Sequence, residues 1–277
     1  MRLWAVLAAI MLLGAAPPDG ELVSIPIPDS PDILVGRICA PRLGGPWNVA
    51  VLNHGSPASA AQRAAMQPAS CASEPVRWFT QRGFIVVAAL RRGFGLSTGR
   101  AVEDSGACDA PDYAQSGLRG AEDIDAILRF ALARKDARPD RPVVVGQSTG
   151  GWATIAYNGP NTVVPATFIS FAGGRGAHAF LKPPTNCRPD LLIAGGAILG
   201  AKAQASMLWI SAANDSYFPV PLVEAVQHAY NQAGGKARLA ILPSFGREGH
   251  ALFQGEGGSK FWGNAVERYL AEARGGS

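Results

Sequence analysis

The chain has 277 residues, 48% of them hydrophobic and 17% charged, enough to bury one large core in a single α/β domain. Its formal charge is +4 and the basic residues are scattered, whereas a nucleic-acid partner calls for a clustered basic stripe. The sequence shows no internal repeat, low-complexity tract or heptad pattern, so a structural or adhesive role finds no support.

In chain order, Met1-Arg2 precedes a wholly uncharged run from Leu3 to Ala16. One positive charge, an apolar core and a small-residue exit match a secretory signal, cleaved near residues 15–16. The run is shorter than the roughly 20 residues of a spanning helix, which argues against a permanent membrane anchor. With residues 1–16 removed, 17–277 form the domain. Four cysteines, Cys39, Cys71, Cys108 and Cys187, fit export to an oxidising compartment, periplasmic or secreted, and lack metal-site spacing. Of the three pairings they allow, Cys108–Cys187 is favoured, since both precede expected helices on the side where site loops gather.

Two strands are expected at Glu21–Ile27 and Ile33–Cys39, and a third at Trp47–Leu52 ending in Asn53-His54-Gly55-Ser56-Pro57. Residues 56–72 read as loop, Glu74–Gln81 as helix, and the apolar run Phe84–Leu90 as a strand covered on both faces. Helical spacing of Ile124, Ile127, Leu128, Ala131 and Leu132 predicts a helix from about Gly117 to Lys135. A strand at Pro142–Val145 and a helix over 149–157 follow. Strands are expected at Ala166–Phe171, Ser206–Ala212 and Ala237–Leu242, and helices at Arg188–Leu199, Val220–Ala233 and Ser259–Ala273. This alternation predicts a mostly parallel sheet of about eight strands with helices on both faces. Residues 172–205 are too many for a turn and read as a small lid.

Chemistry concentrates just after strands, where ligands of such sheets bind. Gly146-Gln147-Ser148-Thr149-Gly150-Gly151 sits between a strand and a helix, the setting of a nucleophile elbow. Ser148 needs a base, and a histidine has the right pKa. Of His54, His178, His228 and His250, only His250 follows the final strand, as the order Ser…Asp…His requires; His178 is the runner-up. His54 reads as a buried residue holding its turn, and His228 as a surface residue. Asp215, directly after Ser206–Ala212, is the expected partner of His250, ahead of Glu248 and Asp190. The oxyanion donors are expected to be the backbone N–H groups of Thr149 and Ser56. Arg175 is a candidate contact for an anionic substrate group, and Arg91 and Arg92 read as structural pins.

Asn53–Pro57, Arg91-Arg92-Gly93-Phe94-Gly95-Leu96-Ser97-Thr98-Gly99, the serine elbow, Trp209–Asp215 and Gly249-His250 together resemble landmarks of the α/β-hydrolase superfamily. The likeness is to its dienelactone hydrolase-like and prolyl-oligopeptidase-like branch, over about residues 33–270. The resemblance implies a Ser148–His250–Asp215 triad, an acyl-enzyme mechanism and no cofactor. Dienelactone hydrolases proper use a cysteine nucleophile where this chain has Ser148, so their substrate is not carried over. The expected function is an exported serine hydrolase acting on a small-molecule ester. A short peptide-like substrate (peptidase or acylaminopeptidase), a thioester and a lactone are the alternatives, and a non-catalytic binding protein a further one.

Overall fold

The computed structural model describes residues 19–42, 44–160, 166–177 and 185–275. The segment read as an export signal, and His178, lie outside them. Eight strands form one sheet: β1 (Glu21–Pro26), β2 (Ile33–Cys39), β3 (Trp47–Asn53), β4 (Phe84–Ala89), β5 (Ala137–Gln147), β6 (Thr167–Phe171), β7 (Ser206–Ala212) and β8 (Lys236–Leu242). Their order across the sheet is β1-β2-β4-β3-β5-β6-β7-β8. β2 pairs antiparallel with both β1 and β4, and every later pairing is parallel. The exchange of β3 and β4 matters for function. It seats β3 beside β5, with Asn53 opposite Gly146, so the turns leaving these two strands emerge side by side.

The parallel strands are buried on both faces, and alternate residues feed two separate cores. Val49, Val51, Ile85, Val87 and Val144 face one layer, while Ala50, Leu52, Val86, Ala88, Val143 and Val145 face the other. That period of two is the pleat of a strand. The first layer holds α3 (Tyr113–Leu132), α4 (Thr149–Tyr157), α5 (Pro189–Gly200) and α6 (Val220–Gln232); the second holds α2 (Glu74–Thr80) and α7 (Ser259–Gly275). α4 is buried nearly all round because it lies between the sheet and α3, with Trp152 fully enclosed. The Trp152 indole N–H donates to the Tyr113 carbonyl at 2.7 Å. Truncating such a side chain typically costs roughly 3–5 kcal/mol.

Three elements differ from the sequence expectation. A short helix α1 (Ala60–Ala64) stands within the expected loop, capped by the Ser59 hydroxyl accepting from the Gln62 N–H. None of its residues is buried, so no apolar periodicity marks it. α3 starts earlier, at Tyr113, because Asp112 caps it and the Tyr113 hydroxyl donates to the Cys187 carbonyl. β5 starts at Ala137, with a register shift opposite Asn48/Ala50 and a positive φ at Arg141.

The cysteines pair as Cys39–Cys71 and Cys108–Cys187. The first ties the end of β2 to the segment before α2. The second ties the segment after Glu103 to the one before α5. Within the 172–205 insertion, Gly174–Ala177 line a cleft and α5 packs on α6, with Gly196 against Val226 and Gly200 against the Tyr230 backbone. Residues 178–184 of that insertion lie outside those described.

Candidate active site

Ser148 stands where β5 turns into α4, with φ 57° and ψ −122°. A serine held there stores backbone strain, of order 1–3 kcal/mol. The turn is possible only because its flanks carry no side chains. A Cβ on Gly146 would lie 2.1 Å from the Gly150 carbonyl oxygen, and one on Gly150 would lie 2.4 Å from the His54 carbonyl oxygen. The Ser148 N–H donates to the Phe171 carbonyl at 2.9 Å, which anchors the turn to the end of β6. The hydroxyl-bearing residue is thus fixed by backbone on both sides, at the N-terminus of a helix.

Asp215 follows β7 and His250 follows β8, and the parallel pairing of these strands brings the two together. The His250 Nδ1 lies 3.1 Å from Asp215 Oδ2. Asp215 Oδ1 accepts the N–H groups of Tyr217 at 2.8 Å and Phe218 at 3.0 Å, so the carboxylate cannot turn away. Glu248, the weaker candidate for the acid, has another place. Its Oε1 accepts the N–H groups of Ser216 and His250 at 3.1 and 3.0 Å, and its Oε2 accepts the Ser216 hydroxyl at 2.5 Å. Burial raises the Glu248 pKa, but the bonds from Ser216 and the His250 N–H outweigh it and hold the carboxyl below its ordinary value. Glu248 therefore buckles the Asp215 turn to the His250 turn. Asp190 is exposed and paired with Arg188, and His228 is exposed on α6.

Two further residues position His250 and carry no sequence signal. The Tyr217 ring stacks on the imidazole with centroids 4.1 Å apart and planes at 14°. The Gln147 amide donates to the His250 carbonyl at 2.9 Å and so links the elbow to the histidine loop. Tyr217 is a single residue brought in by the loop after β7, and Gln147, though it ends β5 inside the elbow motif, occupies a variable position of that motif, so neither has a pattern that points to His250.

On the other side of Ser148 lies the turn after β3. A Cβ on Gly55 would come within 3.0 Å of the Ser148 Cβ. The Ser56 and Thr149 hydroxyls are 2.9 Å apart. Thr149 opens α4, where a backbone N–H has no acceptor within the helix. His54 holds this turn: its Nδ1 lies 2.8 Å from the Gly55 carbonyl oxygen, and its Nε2 accepts the Arg91 N–H at 3.1 Å. Burial, then the nearby Arg91 charge, push its pKa down to about 3.

Beneath the turn is a buried ion cluster. Glu103 takes the guanidinium groups of both Arg91 and Arg175, and its carbonyl accepts Arg175 Nη1 at 2.9 Å. Burial opposes the Glu103 charge, yet the two arginines hold its pKa down to about 2. Both Nη groups of Arg175 are thus engaged by Glu103, while the residue also lines the cleft. Arg92 is paired with Asp123 and Glu122. Ser148 and His250 share a cleft of about 660 Å³, whose other walls include Ser56, Met66, Tyr217 and Phe253, and no carboxylate stands among its described lining residues. That volume suits a small organic ligand.

No family model and no curated protein matches the sequence. Solved structures do resemble it. An esterase of Pyrococcus furiosus superposes with a TM-score of 0.59 at 15% identity, over 91% of this chain and 89% of that one. A Klebsiella pneumoniae protein described as a dienelactone hydrolase gives 0.55 at 16% identity, over 91% and 97%. An acylaminoacyl peptidase of Pyrococcus horikoshii gives 0.61 at 18% identity, over 90% of this chain but 40% of that one. Identities this low speak to the fold alone. The chain has the α/β-hydrolase fold, as the sheet order and these superpositions show. Its structural neighbours include proteins of the dienelactone hydrolase, esterase and acylaminoacyl peptidase classes, the branch that the sequence landmarks resemble.

Proposed function

We propose that the chain is an exported serine hydrolase that cleaves carboxylic esters through an acyl-enzyme. The observation that carries this reading is one cleft shared by a strained elbow serine and a histidine whose Nδ1 rests on a carboxylate. With Nδ1–H held by Asp215, the remaining ring nitrogen of His250 is free to act as a base. His250 takes the Ser148 hydroxyl proton as Oγ bonds to the ester carbonyl carbon. The Thr149 and Ser56 N–H groups receive the negative charge that develops on the carbonyl oxygen. On collapse, the alkoxide leaves with the proton from His250. Water then attacks the acyl-serine, again losing its proton to His250, and releases the carboxylic acid and free Ser148.

Several observations support the finer parts. Two disulfides suit an oxidising compartment, and the segment 1–16 reads as the export signal. N-terminal sequencing of the exported protein is expected to begin near residue 16 or 17. The cleft size and the esterase neighbour support a small ester, with Gly174–Ala177 of the insertion read as a lid bounding the cleft and Arg175 standing at its wall. The acylaminoacyl peptidase neighbour favours peptide-like amides as the second reading. The test is labelling of Ser148 by a fluorophosphonate, with Ser148→Ala as control, followed by matched ester and amide substrates. A folded wild-type protein that takes no label would defeat the reading, and faster turnover of the amide would shift it to a peptidase.

A further inference from the structure

We propose that the Ser56 hydroxyl is a third oxyanion donor, driven by the buried Arg91 through the Thr149 hydroxyl. The inference rests on the serine-hydrolase reading and adds a side-chain group to its two backbone donors.

Arg91 is wholly buried, and its guanidinium is fixed by Glu103 through Nε and Nη2. Its backbone N–H is fixed as well, by His54 Nε2. From that fixed position Nη2 lies 3.4 Å from Thr149 Oγ1. A guanidinium can only donate, so one lone pair of Thr149 Oγ1 is taken from the protein side. Thr149 Oγ1 lies in turn 2.9 Å from Ser56 Oγ. Either hydroxyl can be the donor in that pair, and Arg91 decides between them. An oxygen that accepts from a cation becomes a stronger donor, because hydrogen bonds in series polarise one another. Thr149 therefore donates to Ser56, and the Ser56 proton is released for a third partner.

That partner lies in the cleft. Ser56 is exposed and lines the same cavity as Ser148. A Cβ on its neighbour Gly55 would come within 3.0 Å of the Ser148 Cβ, so the turn that carries Ser56 lies close against the nucleophile, and the proposal puts the hydroxyl where a carbonyl oxygen would turn negative. The arrangement is a series of three donors, guanidinium to threonine to serine, with every bond pointing toward the developing charge. The arginine contributes its charge without touching the substrate, and Glu103 keeps it from swinging into the cleft.

Ser56→Ala keeps the Ser56 backbone N–H and alters an exposed side chain, so the fold is expected to survive. The readouts are the second-order rate of Ser148 labelling by a small fluorophosphonate, and kcat and KM for p-nitrophenyl acetate. Loss of one oxyanion donor is expected to slow labelling and lower kcat about 10²-fold, with KM nearly unchanged. Thr149→Val should give a similar loss, and the Ser56→Ala/Thr149→Val double variant no greater one, since both cut the same series. Thr149→Ser restores the hydroxyl and should restore the rate. Ser56→Ala labelled at the wild-type rate overturns the proposal, as do losses that multiply in the double variant. Wild-type protein that takes no label overturns both this donor and the serine-hydrolase reading, whereas a labelled wild type matched by Ser56→Ala overturns the donor alone.

Discussion

His54 and His250 flank the same serine turn and line the same cleft, yet their surroundings commit them to different work. In each ring Nδ1 is engaged, but by different groups. A backbone carbonyl meets His54, and the Asp215 carboxylate meets His250. The other nitrogen of His54 is spent on the Arg91 N–H, with a guanidinium nearby to repel a proton. His54 therefore stays neutral and immobile, a polar pin for the turn that carries Ser56. His250 has a carboxylate at its Nδ1 and an aromatic ring stacked on its face, and its other ring nitrogen is the one assigned to the base in the proposed reaction. The contrast lies in the partners, not in the residue.

The largest expected effect falls on the His250 side. His250→Ala, like Ser148→Ala, is expected to lower kcat about 10⁶-fold on an activated ester, with an unchanged circular dichroism spectrum. A variant that retains more than a hundredth of wild-type turnover would break the contrast, since some other group would then be the base. Asp215→Asn comes next. The Tyr217 and Phe218 N–H groups can still be accepted, but the amide no longer fixes the Nδ1–H tautomer, and kcat is expected to fall about 10⁴-fold. If Asp215→Asn proves mild while Glu248→Gln proves severe, then Glu248 is the acid that serves His250 and Asp215 is the buckle.

The sequence carries these two histidines unequally well. The elbow is legible because glycines at 146 and 150 are forced by contacts close to 2 Å, a demand that leaves a fixed pattern. Asp215 is legible by position after the apolar run of β7, and His250 by its place after β8, the last strand, although Lys236 and Arg238 interrupt that strand's apolar residues. The pinning role of His54 can be guessed, but its partner cannot. The Arg91–Glu103 pair joins residues twelve apart across a loop, and Arg175 arrives from 72 residues beyond Glu103. No period or spacing encodes such contacts, because the chain between them is irregular. For the same reason Glu248 reads in the sequence as a possible catalytic acid, whereas its reach to Ser216 and the His250 N–H is fixed by two loops folding against each other.

On the His54 side the expected losses are in stability rather than turnover. His54→Ala leaves the Arg91 N–H and the Gly55 carbonyl without their partner in a largely enclosed turn, at a cost of about 1–3 kcal/mol. Thermal melting should register this as a lowered Tm, while Ser148 still takes a fluorophosphonate, though more slowly because the Ser56 turn has loosened. A His54→Ala protein that melts like wild type would remove the pin from the comparison.

Acidification should single out His54 by a smaller, graded effect. In the folded chain the ring remains neutral until about pH 3, whereas in the unfolded chain it takes a proton near its ordinary 6.5. Between those values the unfolded state binds the extra proton, so its contribution to stability is whole above pH 6.5 and drains away as pH falls toward 3. Glu103 adds a second loss lower down. Its carboxyl is held near 2 against an ordinary 4.5, so its stabilisation is present above 4.5 and is lost as pH falls through that range to about 2. Asp123 works in the opposite sense, because burial raises its carboxyl to about 6 and the folded chain takes that proton first. In denaturant melts, the stability of the wild type should therefore fall most clearly between about pH 7.5 and about 6, with the fall partly offset below. His54→Asn, which cannot take a proton, should start lower at about pH 7.5 and fall less steeply to about 5.5, above the Glu103 range. Parallel slopes for the two proteins over that interval would mean that His54 is protonated in the folded chain, and its difference from His250 would then lie in geometry alone.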